Sequence, residues 1–218
     1  MEKLELRMYG IVPYNISEIQ KGIQFGHAVV EYGQMAKRFG VPQTETRQSS
    51  EGSTYRVTSY PPEGAEIEKA YEEWADYWKT FIILNGGTSN HSMNRYHDGE
   101  FQGTMEQHLA AFEDAGIATA TFYEPDLNDM LSAVVFIVDE RVFNKKSYPD
   151  FGDWIMENHY SYLADNMTTS SKIERMRLDG RFDGAQGIEG ELFAEWSGIV
   201  GGAKNIFLRD YLKGFRLA

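Results

Sequence analysis

Three polar side chains recur at every third residue in the segment Gln20-Lys21-Gly22-Ile23-Gln24-Phe25-Gly26-His27-Ala28: Lys21, Gln24 and His27. In a helix that spacing places them on one side. Lys21 falls in the first turn, where the helix dipole disfavours a cation unless an anion compensates it. It is therefore a candidate ligand for an anion or phosphate. His27 could act as a general base, although a helix histidine beside apolar residues also serves as a packed core group. A second group lies in Glu124-Pro125-Asp126-Leu127-Asn128-Asp129, between two apolar runs. Carboxylates at strand ends can position a water or orient a lysine, and Asp and Asn are also ordinary turn formers. A third candidate is Asn85-Gly86-Gly87-Thr88, which follows an apolar strand where ligand crevices open in α/β sheets. It matches neither a Walker A nor a dinucleotide fingerprint. Asn85, Thr88, Asn128 and Asp129 are the candidate substrate ligands.

The chemistry open to these groups is bounded by what is missing. The chain has no cysteine, which excludes disulfides, thiolate nucleophiles and cysteine-ligated metals. His91, His97 and Asp98 fit no standard ligand spacing, so no metal and no cofactor is expected. The net charge of −12 over 218 residues argues against a protein that coats nucleic acid. A hydrophobic content of 42% with 14% aromatics is enough for a packed core. No run approaches a membrane span, and Met1-Glu2-Lys3-Leu4-Glu5 lacks the apolar segment of a secretory leader. The expected location is cytoplasmic.

The elements that must hold these residues follow from periodicity. Leu4 to Val12 alternates as a strand. Ser17-Glu18-Ile19-Gln20 has the capping-box pattern, opening a helix to about Phe39 with Ile19, Ile23, His27 or Ala28, Val30 and Met35 on its apolar stripe. Its glycines at 22, 26 and 33 suggest tight packing on a sheet. Residues 43–63 are polar and read as a loop with at most a short strand at Tyr55–Thr58. A short helix is expected over Ala65–Tyr77. The run Thr80–Leu84 reads as a strand buried on both faces. Thr104-Met105-Glu106-Gln107 is a second capping-box pattern, opening a helix that stops at Gly116. Thr119–Tyr123 and Leu131–Asp139 are two further strands. The result is an α/β fold: a four-stranded mixed β-sheet flanked by helices. It would occupy residues 1–143, with insertions at about 43–64 and 86–103. Residues 144–218 form a C-terminal extension. Its last 16 residues carry four basic side chains against one acid, a local +3 that leaves −15 on the first 202. Over Ala203–Ala218 the apolar Phe207, Leu208, Tyr211, Leu212 and Phe215 would face one way and Arg209, Lys213 and Arg216 the other. Such a helix could dock on the acidic body, form a basic ridge or build a homodimer.

Element order and three motifs resemble the type-2 peptidyl-tRNA hydrolases, and among them the bacteriophage and bacterial relatives, over about residues 4–140. The motifs are Gln24-Phe25-Gly26-His27-Ala28; a tryptophan, Trp74 or Trp78, before Lys79-Thr80-Phe81-Ile82-Ile83-Leu84; and Gly116 to Asp126 followed by Leu131-Ser132-Ala133-Val134. The resemblance implies a four-stranded mixed sheet and metal-independent cleavage of the ester between a peptide and the 3′ end of tRNA. Lys21, Gln24 and His27 would then face Glu124, Asp126 and Asn128. Two segments depart from the family pattern. Gln20 stands where the family has Gly-Lys, and the acidic turn lacks the family's Arg and Thr. They give weight to an alternative, a non-catalytic accessory protein that binds a nucleotide-like ligand or a protein partner on the same fold. A phage-encoded member would act in the host cytoplasm.

Overall fold

The computed structural model describes residues 3–39, 43–48, 54–59, 62–90, 96–97, 100–101, 103–159 and 188–218. The chain separates into two compact units, one spanning residues 5–137 with 215–218, the other built from residues 138–214 and the chain start.

The first unit holds a four-stranded sheet in the order β4-β1-β8-β7. Its strands are β1 Leu6–Val12, β4 Thr80–Asn85, β7 Ala120–Glu124 and β8 Met130–Asp139. β1 and β4 run parallel, with Arg7 opposite Thr80 and Val12 opposite Asn85. β7 and β8 run antiparallel, with a register shift at Phe122/Tyr123. The sheet is therefore mixed. The two central strands carry the nearly continuous burial that their apolar sequences require. β4 is different: it is an edge strand and Phe81 is 50% exposed. The apolar run there does not mark burial on both faces. Phe81 instead sets its ring edge-on to Phe25 and Trp74.

Helix α1, Glu18–Phe39, is opened by the capping box. The Ser17 N–H donates to Gln20 Oε1 at 3.1 Å, and the Gln20 N–H donates back to Ser17 Oγ at 3.3 Å. Its buried face differs from the stripe expected from apolarity alone. Phe25, Ala28, Tyr32 and Ala36 are buried, and Lys21 and Gln24 with them. Ile19, Ile23 and Val30 lie exposed. The rotation follows from the sheet, which offers an aromatic core beneath the helix and a polar anchor for Gln24. Gly33 does pack closely, since a Cβ there would collide with the Tyr71 ring, but Gly22 and Gly26 face open space.

Helix α2, Pro62–Glu73, continues into a π turn, Trp74–Trp78, which ends at Lys79 in the left-handed conformation (φ 51°). Helix α3, Thr104–Asp114, is capped at Gly103 without a side-chain bond. The second capping box does not form, because Thr104 Oγ1 is committed to the Gly86–Thr88 turn. Residues read as a loop contain a hairpin: β2 Gln43–Gln48 pairs antiparallel with β3 Thr54–Ser59. β5 Tyr96–His97 pairs with β6 Glu100–Phe101. His91 and Asp98 lie outside the described residues. The C-terminal residues are extended. Leu217 bridges Leu84, the Asn85 N–H donates to the Arg216 carbonyl at 2.9 Å, and the Ala218 N–H donates to the Ile83 carbonyl at 3.1 Å. The expected helix over 203–218 is thus corrected: helix ends by residue 214, and Arg216 sits on a strand-like tail along β4.

The second unit contains α4 Glu140–Phe143, α5 Phe151–Asn158, α6 Ile188–Val200 and α7 Ala203–Tyr211. Phe151, Trp154, Ile155, Leu192, Trp196 and Val200 form its apolar cluster. Arg209 is 4% exposed and does not belong to a solvent-facing ridge. Its guanidinium donates to the Tyr148 carbonyl at 2.8 Å and to Asp150 at 2.7 Å, bonds the Arg141 carbonyl, and lies over the Trp196 ring. A cation this desolvated needs such partners. Burial works to raise the Asp150 pKa, but hydrogen bonds and charge from Lys145 and Arg209 outweigh it and hold the carboxyl below its ordinary 3.8. A depressed folded-state pKa contributes stability above the unfolded value and loses it as pH falls through the folded one. Asp150→Asn should therefore cost about 2–3 kcal/mol at pH 7, because Arg209 stays buried without its counter-charge. The gap to wild type should narrow below about pH 4, as measured by denaturant unfolding across pH.

Candidate functional site

The site is built where α1 crosses β7. Residues 18–24 begin the helix after the turn that follows β1, so the polar positions of its first turns lie at the carboxyl end of that strand. Gln24 is 4% exposed. Its Nε2 donates to Glu124 Oε2, the last residue of β7. Its Oε1 accepts from Ser132 Oγ at 3.0 Å, and the same hydroxyl reaches the Phe122 carbonyl at 3.0 Å. The amide thus has one sense: its nitrogen faces the carboxylate and its oxygen faces the hydroxyl. A buried amide left unmatched would be costly, so this arrangement fixes both the rotation of α1 and the position of Glu124.

Glu124 is held a second time. Its Oε1 accepts the Asp126 N–H at 3.3 Å at the start of a short 3₁₀ turn, Pro125–Leu127. Asn128 and Asp129 then both adopt left-handed backbone, with φ 55° at each. Asn and Asp tolerate that region better than other non-glycine residues, which gives both positions a conformational reason for their identity. The Asp126 carboxylate is exposed.

Lys21 is 8% exposed, and its Nζ bonds Glu18 Oε1 at 2.7 Å. The anion that offsets a first-turn cation is therefore supplied by the same turn. Glu18 is the loose partner: its side chain is 79% exposed against 11% for Lys21. One turn beyond Gln24, His27 is exposed and lies nearly parallel to the Phe122 ring, 4.6 Å between centroids and 18° between planes. It is not a packed core histidine.

Asn85 and Thr88 have other tasks. Asn85 Oδ1 accepts the Gly87 N–H at 2.9 Å, and the Thr88 N–H donates to Thr104 Oγ1 at 2.6 Å. Gly87 has positive φ (81°), and its carbonyl accepts the Tyr14 N–H at 2.8 Å. The turn thus ties the carboxyl end of β4 to the approach of α1 and the start of α3. Neither side chain bonds Gln24 or Glu124. Of the predicted site residues, the structure joins Gln24 to Glu124, sets the Asp126 N–H on Glu124 and stacks His27 on Phe122, while Lys21 pairs with Glu18; Asn128 and Asp129 lie on the adjoining turn.

Two residues escaped sequence reasoning, Ser132 and Phe122. The first had a signal: Ser132 is the one polar residue in the apolar run Met130–Val138 and is fully buried, which requires a partner. Phe122 reads simply as a strand aromatic.

No protein-family model, curated protein or solved structure matches the chain. Among the described residues no helix is long and apolar enough to cross a membrane.

An anchored carboxylate with remaining lone pairs can hold a water and accept its proton, and a lysine whose partner is exposed can turn to steady a developing negative charge. The part played by Ser132 is open to measurement. Ser132→Ala should leave Gln24 Oε1 without its donor and lower unfolding free energy by about 1–2 kcal/mol in urea titrations. A change near zero would mean that the hydroxyl does not hold the amide.

Proposed function

We propose that the chain is a metal-independent ester hydrolase of the type-2 peptidyl-tRNA hydrolase kind, acting on an acyl ester at the 3′ end of a nucleotide or tRNA. The observation that carries it is the Gln24–Glu124 bond, which joins the helix motif to the acidic turn within one hydrogen-bonded set. The four-stranded mixed sheet and the two sequence motifs at those positions support the same reading.

In this mechanism Glu124 accepts a proton from a water as the water oxygen attacks the ester carbonyl carbon. The tetrahedral oxyanion develops beside the Lys21 ammonium, which exchanges Glu18 for it. The bond to the ribose 3′ oxygen breaks, and the proton held by Glu124 passes to that oxygen. The products are a peptide carboxylic acid, which releases its proton to solvent, and a free 3′ hydroxyl. Gln24 orients Glu124 and takes no proton. Asp126 adds negative potential near the carboxylate and supplies the backbone N–H that fixes it.

The resting Lys21–Glu18 pair, in which the ammonium is already neutralised, favours a second reading, a non-catalytic accessory protein that binds a nucleotide-like ligand or a protein partner on the same fold. Release of tRNA from an N-acetylated aminoacyl-tRNA, assayed at low salt, separates them. Hydrolysis should persist in excess chelator. Glu124→Gln should reduce kcat by about 10²–10⁴, and Lys21→Ala by about 10². Variants with wild-type rates would overturn the assignment. A nucleotide released from the native protein on denaturation, with no hydrolysis by the wild type, would establish the second reading.

A further inference from the structure

We propose that the stacked pair His27–Phe122 is a nucleobase platform that receives the 3′-terminal base of the substrate, and that His27 acts as a surface, not as a proton carrier. The inference rests on the hydrolase reading for its substrate but on separate residues for its site. Phe122 covers one face of the imidazole at 4.6 Å and 18°, so the exposure of His27 falls on the opposite face and the edge. The helix surface around it is exposed as well. A Cβ at Gly26 would meet nothing within 4 Å, and Ile23 and Val30, one turn before and one turn after His27, are 50% and 59% exposed. An aromatic ring backed by another ring, open on its far side and bordered by exposed apolar groups, is the surface on which an unstacked base settles.

Its placement agrees with the chemistry. Phe122 and Glu124 are two residues apart on β7, and their partners on α1, His27 and Gln24, are one helical turn apart. The platform and the carboxylate therefore lie side by side along one seam, about 6–7 Å apart by strand spacing. Ser132 joins them, since its hydroxyl reaches both the Phe122 carbonyl and Gln24. The platform also gives a use to the exposed face of α1 that apolar periodicity alone would have turned inward. Stacking draws on no basic surface, which suits a chain of net charge −12.

The test compares His27→Ala with His27→Phe in the full-length protein. Phenylalanine keeps a stacking ring but cannot carry a proton. Two readouts are taken: kinetics on N-acetylated aminoacyl-tRNA, and binding of adenosine 5′-monophosphate followed by calorimetry. The platform predicts that His27→Ala raises KM and weakens nucleotide binding about tenfold. His27→Phe should stay within about twofold of wild type in both, with the pH profile of kcat unchanged. A His27→Phe variant that loses kcat as His27→Ala does, with one limb of the pH profile gone, would make His27 a proton carrier and overturn the proposal. Hydrolysis by wild type with nucleotide binding indifferent to both substitutions would overturn it while leaving the hydrolase reading intact. Nucleotide binding that needs a ring at position 27, in a protein without hydrolysis, would keep the platform and remove the hydrolase.

Discussion

The buried amide of Gln24 sets the geometry on which the site depends. A side-chain amide removed from water must find partners for both ends, or its burial costs more than the helix gains. Here the two ends are answered by strands: Glu124 at the end of β7 takes the N–H, and Ser132 on β8 supplies a donor to the oxygen. Satisfying both fixes the rotation of α1 about its axis. That rotation carries Lys21 inward, leaves Ile19, Ile23 and Val30 in solvent, and lays His27 over Phe122. A more hydrophobic inward face was available on the same helix, and the polar pair together with the Phe25, Ala28 and Tyr32 face prevails over it.

The acidic character of the chain is compatible with a nucleotide substrate when recognition is divided this way. Affinity taken from many phosphate contacts needs clustered cations and falls steeply with salt. A stacked base and one lysine near the scissile bond need little basic surface. Two of the four cations of the C-terminal region are already engaged. Arg209 is consumed by Asp150 and backbone carbonyls, and Lys213 lies near Asp150 and Asp210.

Much of the first unit was legible from local signals. The Ser17–Gln20 box formed, and the long apolar run from Leu131 became a central strand. Where tertiary partners decided the outcome, the local pattern misled. The face of α1 turned on the Gln24 bond, which periodicity does not register. Thr104 opened a helix but spent its hydroxyl on a distant turn, so the cap pattern stayed unused. Residues 43–48 are too polar to read as a strand, yet backbone pairing with 54–59 needs no apolar alternation. The edge position of β4 and the tail lying along it are matters of topology. An amphipathic pattern cannot tell a helix end from an extended strap. The hydrogen-bonded link between Gln24 and Glu124 was not legible as a network, because Ser132, its buried polar link in β8, contributes no reactive group.

The claim that Gln24 and Glu124 act as a unit is most directly tested by a double-mutant cycle on unfolding free energy, using Gln24→Ala, Glu124→Ala and the double variant. A buried hydrogen bond to a carboxylate predicts a coupling of about 1–3 kcal/mol, with the double variant less destabilised than the sum of the singles. Additivity within about 0.5 kcal/mol would contradict it and separate the helix motif from the acidic turn.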